Sequence, residues 1–146
     1  MKTLPCYVLV VFGVGLVSTS MALPAADWLG FRGPNGSGVA TDSGVPVEFG
    51  AEKNLGWKRE LPPGTSSPIV VGNRLYLTAL DGEELAVFCL DATTGDTIWR
   101  HIAPLPRREK FHPNHGPATP TPVSDRENVY VFFPEFGLLS FTADGE

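Results

Sequence analysis

"CLDATTGDTIW", residues 89–99, joins two apolar runs through a turn, and its reading decides the fold. The run entering it, "LAVFCL", is rich in the β-branched and aromatic residues that fit a pleated surface. Thr93, Thr94, Gly95 and Asp96 are turn formers, the glycine because it reaches positive φ without a Cβ clash. Thr97, Ile98 and Trp99 then open a second run of strand-forming residues. The stretch predicts strand, tight turn, strand.

The same pattern recurs on both sides. "LGWKREL", "SPIVV", "RLYLTAL", "DTIWRHI", "TPTPV", "NVYVFF" and "GLLSFT" all read as short strands, separated by "GN", "DG" and "SDREN". No segment after the N-terminus shows apolar residues at helical spacing, and 16 glycines with 14 prolines break the chain too often for long helices. A strand about every ten residues predicts an all-β sandwich, barrel or propeller.

An internal repeat narrows the choice. Ser67-Pro68-Ile69-Val70 overlies Thr121-Pro122-Val123-Ser124 at an offset of 54, and Leu75-Tyr76-Leu77 then falls on Val129-Tyr130-Val131. After a three-residue deletion, Leu90 and Ala92 overlie Phe141 and Ala143, with Thr142 where Asp91 stands. Gly95 over Gly145 follows one residue later. Four strands in a unit of about 40–50 residues is the arithmetic of a β-propeller blade. Large residues on one such sheet fill the gap to its neighbour, a role for Trp57 and Trp99, with Gly95 giving an indole room to approach. "NLGWKREL" resembles the last strand of a unit standing alone, as expected of a strand that closes a ring and hides two edges.

The fold class expected is therefore all-β: a propeller of four-stranded blades, with a closing strand, one full blade and most of a second. The expected organisation is a leader over 1–22, an N-terminal lead-in segment over 23–53, and repeats over 54–146 that stop short of their last strand, as in the N-terminal part of a longer protein. Such a piece alone is expected to be poorly stable or prone to aggregate, because it leaves strand edges and apolar faces open.

The first 22 residues have a basic start (Lys2), an apolar stretch and a small-x-small end at Ser20-Met21-Ala22, which predicts a secretory signal cleaved after Ala22 and a secreted or periplasmic protein. The apolar stretch is short for a membrane span, so no transmembrane segment is expected after cleavage. Loss of Lys2 takes the net charge from −5 to about −6, a poor match for nucleic acid or anionic lipid. Loss of Cys6 leaves Cys89 alone, with no internal disulfide to form; in an apolar run it reads as a buried structural thiol.

"CLDATTGDTIW" also resembles the repeat signature of pyrroloquinoline-quinone-type (PQQ-like) propellers, in which a strand ends in Asp-Ala-x-Thr-Gly and a tryptophan follows four residues after the glycine. The opening "WLGFRGP" is similar to the Trp-x-x-Phe-Arg-Gly-Pro segment of exported bacterial members, and the likeness covers nearly all of residues 27–146. It implies that Cys89, Gly95 and Trp99 dock neighbouring blades, Cys89 standing where alanine is usual. The family also contains quinoprotein dehydrogenases that hold PQQ and calcium, with a vicinal cysteine pair, a stacking tryptophan and Glu/Asn/Asp metal ligands; this sequence has no vicinal cysteine pair and no matched metal ligands.

Three groups of residues could carry chemistry. "DWLGFRGPNGSGVA" is glycine-rich, but it lacks the Lys-Ser/Thr of a phosphate loop and the flanking strand and helix of a dinucleotide site. Its glycines read as turns, with Trp28 and Phe31 as anchors and Arg32 to pin the segment. "FHPNHGPATPTP" places His112 and His115 at an H-x-x-H spacing near His101 and Glu109, a weak metal pattern without a third ligand at a recognisable spacing. His112, Asn114 and His115 are better candidates to line a binding face, since such connections emerge near a propeller's central channel; an ordinary solvated loop is the alternative. The carboxylates lie in or beside turns, and Ser66 and Ser67 sit outside any nucleophile motif, in place to bond at the start of an inner strand. No catalytic constellation is visible. The expectation is a non-catalytic scaffold that presents loops to an envelope or extracellular protein or polysaccharide, without a resident cofactor. The alternative is a PQQ- and calcium-dependent dehydrogenase.

Overall fold

Alternating apolar residues and glycine-led turns fold the described residues into seven strands. They are β1 (Ile69–Val71), β2 (Arg74–Asp81), β3 (Glu84–Asp91), β4 (Thr97–Pro104), β5 (Val123–Ser124), β6 (Asn128–Phe133) and β7 (Gly137–Thr142). The computed structural model describes residues 26–41, 44–107, 110, 112 and 115–146. The expected leader with its Ala22 cleavage point, Cys6, Glu109 and Asn114 lie outside the described residues.

The strands form two antiparallel sheets, four-stranded β1-β2-β3-β4 and three-stranded β5-β6-β7. Gly72 and Gly82, both at positive φ, each open a two-residue turn, in β1–β2 and β2–β3. The β3–β4 turn is held by Asp91, whose carboxylate accepts the N–H groups of Thr93 and Thr94 at 2.8 and 2.9 Å, while Gly95 N–H bonds the Asp91 carbonyl.

The register carries the repeat into space. Ile69 pairs with Tyr76 as Val123 pairs with Tyr130, and Leu75 with Leu90 as Val129 with Phe141. The deletion found in the sequence is taken up in the hairpin, so Cys89 and Ser140 occupy equivalent places opposite the two tyrosines.

The main core lies between the sheets. The first contributes Ile69, Tyr76, Leu85, Val87 and Cys89; the second contributes Val129, Val131, Phe133 and Phe141. These are opposite faces of the repeat. Val129, Val131 and Phe141 are equivalent to Leu75, Leu77 and Leu90, which lie on the far side of the first sheet, in a cluster closed by Trp57 and Leu61. The sheets therefore stack head to tail, front of one on back of the next. The front of the second sheet is left bare: Val123 is 48%, Phe132 50% and Leu138 69% exposed, whereas their counterparts Ile69, Thr78 and Val87 are at most 1% exposed.

Three strand expectations change. "LGWKREL" forms no ladder among the described residues; Trp57 and Leu61 pack it by side chains on the far face of the first sheet, with the Trp57 indole bonded to the Ala92 carbonyl. "TPTPV" contributes only Val123 to β5, since Pro120 and Pro122 have no N–H to give a ladder. "SPIVV" likewise pairs only after Pro68. The glycine-rich lead-in forms successive turns around one short 3₁₀ turn, with Arg32, Gly33, Asn35, Gly36 and Gly38 all at positive φ. It also ties the sheets together at their β1 and β5 edges. Trp28 and Val70 exchange backbone hydrogen bonds at 2.8 and 3.0 Å, and the Leu29 carbonyl accepts Ser124 N–H at 2.9 Å. Among the described residues no helix is long and apolar enough to cross a membrane.

Candidate functional site

Between the sheets, at the β2–β3 end, a cleft of about 230 Å³ is lined by residues 63–65 and Leu80 on one side and by residues 115–118 on the other. These are the segments that approach β1 and β5, so the cleft is built twice from the same part of the repeat. Thr65 and Thr119, which are 54 positions apart, touch hydroxyl to hydroxyl at 2.8 Å. Ser67 N–H donates to the Thr121 hydroxyl, again across 54 positions, at 3.1 Å. Leu80 N–H bonds the Pro63 carbonyl, and the Ala118 carbonyl accepts from both Thr65 and Ser66 N–H. Ser66 exchanges hydrogen bonds with the Thr78 backbone, the role at the start of an inner strand that its sequence context predicted. These bonds tie the two walls to the first sheet and to each other.

His115 lines the cleft, and His112 stands beside it. The His115 N–H bonds the His112 carbonyl at 2.8 Å, and the two rings lie 5.8 Å apart, both exposed. His101 has a different role: it sits in β4 with its ring 4.9 Å from Phe141. Among the described residues no three His, Cys, Asp or Glu side chains gather closely enough to share a metal. Among the described residues the cleft offers the Thr65 hydroxyl, the His115 imidazole, backbone groups and apolar side chains. Among the described residues that line it there is no carboxylate, the ligand that calcium sites in proteins ordinarily use.

The two tryptophans and the glycine turns they cover form a second constellation. Trp99 donates its indole N–H to the Ala143 carbonyl at 2.9 Å and packs 5.4 Å from Phe141 and 5.8 Å from Tyr76. Trp57 makes the equivalent bond to the Ala92 carbonyl, also at 2.9 Å. A Cβ on Gly95 would stand 2.5 Å from the Trp57 ring, and one on Gly145 3.0 Å from the Trp99 ring. Each indole thus covers the glycine turn of the following unit. Cys89 is fully buried, and burial pushes its thiol above the ordinary range. It behaves as a packing residue.

The turn carboxylates are committed to structure. Asp125 accepts Glu127 and Asn128 N–H and the Tyr130 hydroxyl, and the Asn128 and Tyr130 bonds hold its carboxyl below the usual range. Asp27, whose role the sequence did not disclose, accepts Gly72 N–H with one oxygen and Arg126 Nε with the other, both at 2.8 Å, and so joins the two inner turns. The Gly72 bond, then Arg126, lowers its pKa. Glu135, in the β6–β7 turn, is 5% exposed with neither carboxylate oxygen hydrogen-bonded. Thr65, Thr119 and Leu80 were not singled out from the sequence, although the offset of 54 already paired Thr65 with Thr119.

Comparison with protein-family models, curated proteins and solved structures gave no match.

Proposed function

We propose that this chain belongs to an exported β-propeller-type repeat protein of the PQQ-like kind, which acts as a non-catalytic scaffold and binds an extended peptide or polysaccharide of the cell envelope at the cleft. The observation that carries the reading is the contact between Thr65 and Thr119. If the two units are related by rotation, equivalent points come together only near the axis, so the 2.8 Å approach supports a reading with these segments close to it and β4 at the rim. Fan-like stacking of head-to-tail sheets about such an axis is the geometry of a propeller. Tryptophan docking at the rim and the matched register support the same arrangement.

A cleft near the axis, walled by loops on a rigid frame, is where a repeat scaffold presents its binding groups. Export is supported by the basic, apolar and small-x-small order of residues 1–22. Titration of ¹⁵N-labelled protein with envelope oligosaccharides and with extended peptides tests the role. Shifts confined to Gly64, Thr65, His115 and Gly116 are expected with one of these probes. Dye-linked alcohol oxidation on addition of PQQ and Ca²⁺ would contradict the scaffold reading.

A further inference from the structure

The cleft between the sheets holds backbone donors with no carboxylate beside them among the described residues, and we infer that it takes the C-terminal residue of an extended peptide. The chain-end carboxylate sits on the N–H groups of Gly64 and Ala118. The inference rests on the binding role proposed for this cleft and narrows it to one end of one kind of chain. Gly64 and Ala118 both line the cleft, from equivalent places 54 positions apart in the two units. Neither N–H has a hydrogen-bond partner among the described residues. For Ala118 that is unusual, since the residue is only 2% exposed and a buried backbone N–H is almost always paired. Ala118 is the third residue of the turn that Thr119 N–H closes on the Gly116 carbonyl, and that closure leaves its N–H unused. The direction of the Gly64 N–H follows from its neighbour. The Pro63 carbonyl accepts Leu80 N–H at 2.7 Å, and across a trans peptide the next N–H points the opposite way, away from β2. A side chain at Gly64 would collide with the Thr78 carbonyl oxygen, so the close approach of this wall to β2 requires glycine.

Thr65 supplies the complement. Thr119 Oγ1 accepts Gly116 N–H at 2.9 Å and donates to the Gly116 carbonyl at 2.8 Å, so its one proton is committed. The proton in the 2.8 Å contact between Thr65 and Thr119 therefore comes from Thr65, whose oxygen is left as an acceptor. A peptide's chain end matches this set. Its two carboxylate oxygens accept from the two N–H groups, and the amide N–H of the same residue donates to the Thr65 oxygen. Bonds from backbone N–H groups to a carboxylate are charge-assisted and strong, and chain ends are held by backbone donors in other recognition modes. His115, exposed at the rim, presents an imidazole to the same charge. Pro63, Leu80 and Pro117 give the last side chain apolar walls. A cleft of about 230 Å³ has room for one residue and not for a run of sugar rings.

Three probes titrated into the ¹⁵N-labelled full chain test it: a flexible hexapeptide ending in leucine with a free carboxylate, the same peptide as its C-terminal amide, and a galacturonate trimer. The free acid should bind and shift the Gly64, Thr65 and Ala118 amides. The amide should bind at least about tenfold more weakly, the worth of a hydrogen bond to a charged group. His115→Glu sets a carboxylate at an exposed position on the rim, and should weaken the free acid while leaving the amide unchanged. Equal binding of acid and amide overturns the inference, and so does binding of the galacturonate with the same amides shifted; either result leaves the scaffold reading in place. Failure of the free acid to bind overturns it as well, whereas the scaffold reading falls on dye-linked alcohol oxidation with PQQ and Ca²⁺.

Discussion

Removing the Trp99 side chain is the perturbation that bears hardest on the head-to-tail stack. In the folded chain this residue has one indole hydrogen bond to Ala143 and two aromatic contacts, to Tyr76 and Phe141. A hydrogen bond is worth about 1 kcal/mol net, and each aromatic contact about 1 kcal/mol. Trp99→Ala should therefore cost about 3 kcal/mol, the low end for truncating a large core aromatic, in keeping with its partial exposure. Trp99→Phe keeps the ring contacts and should cost only about 1 kcal/mol. The Ala143 carbonyl is not orphaned by that change, because it also accepts from Arg74. Urea unfolding followed by circular dichroism gives the two values, and hydrogen exchange locates the damage. With Trp99→Ala, amides of β6 and β7 should lose protection before those of β2 and β3, since β5–β7 is held mainly through its contact with the first sheet. A cost below about 0.5 kcal/mol, as for an ordinary surface change, with β6 and β7 protection intact, would refute the reasoning.

Other consequences can be read as directly. Gly95→Ala forces a side chain into positive φ, 2.5 Å from the Trp57 ring, and should cost at least about 1 kcal/mol in the same unfolding assay while shifting Trp57 fluorescence. The depressed Asp27 pKa stabilises the native state above the unfolded value near 3.8, and that contribution is lost as pH falls through the folded value. Protection of the Trp28 and Val70 amides, relative to their intrinsic exchange, should thus fall below about pH 4, and Asp27→Asn should remove that fall. Glu135→Met removes a buried carboxylate that has no hydrogen-bond partner, and should raise stability by about 1 kcal/mol or more; a fall would mean that the carboxylate is paired in solution.

Much of this architecture is legible in the sequence because repeat and register are the same information. The offset of 54 between Ser67-Pro68-Ile69-Val70 and Thr121-Pro122-Val123-Ser124 reappears as matched strand pairs, and the deletion falls in a hairpin. Strand length was less legible. "TPTPV" has strand composition, but its prolines remove the donors that a ladder needs. "LGWKREL" has strand composition too, and whether it pairs depends on a neighbour that local sequence does not specify. The cleft was half visible: His112 and His115 were singled out by residue type, whereas Thr65 and Thr119 matter through their mutual contact. The bridge from Asp27 and Trp28 to both sheets joins residues up to 99 positions apart, and no periodicity announces a pairing of that kind.

The head-to-tail stack is tested most directly by the position of the two indoles. In a nuclear Overhauser spectrum of the folded chain, the Trp99 indole N–H should contact the Ala143 and Gly145 α-protons, and that of Trp57 should contact those of Ala92 and Gly95. The Gly145 and Gly95 α-protons should both be shifted by the ring currents of those indoles. A Trp99 indole that contacts its own turn at Gly95, or that exchanges freely with water, would contradict the account.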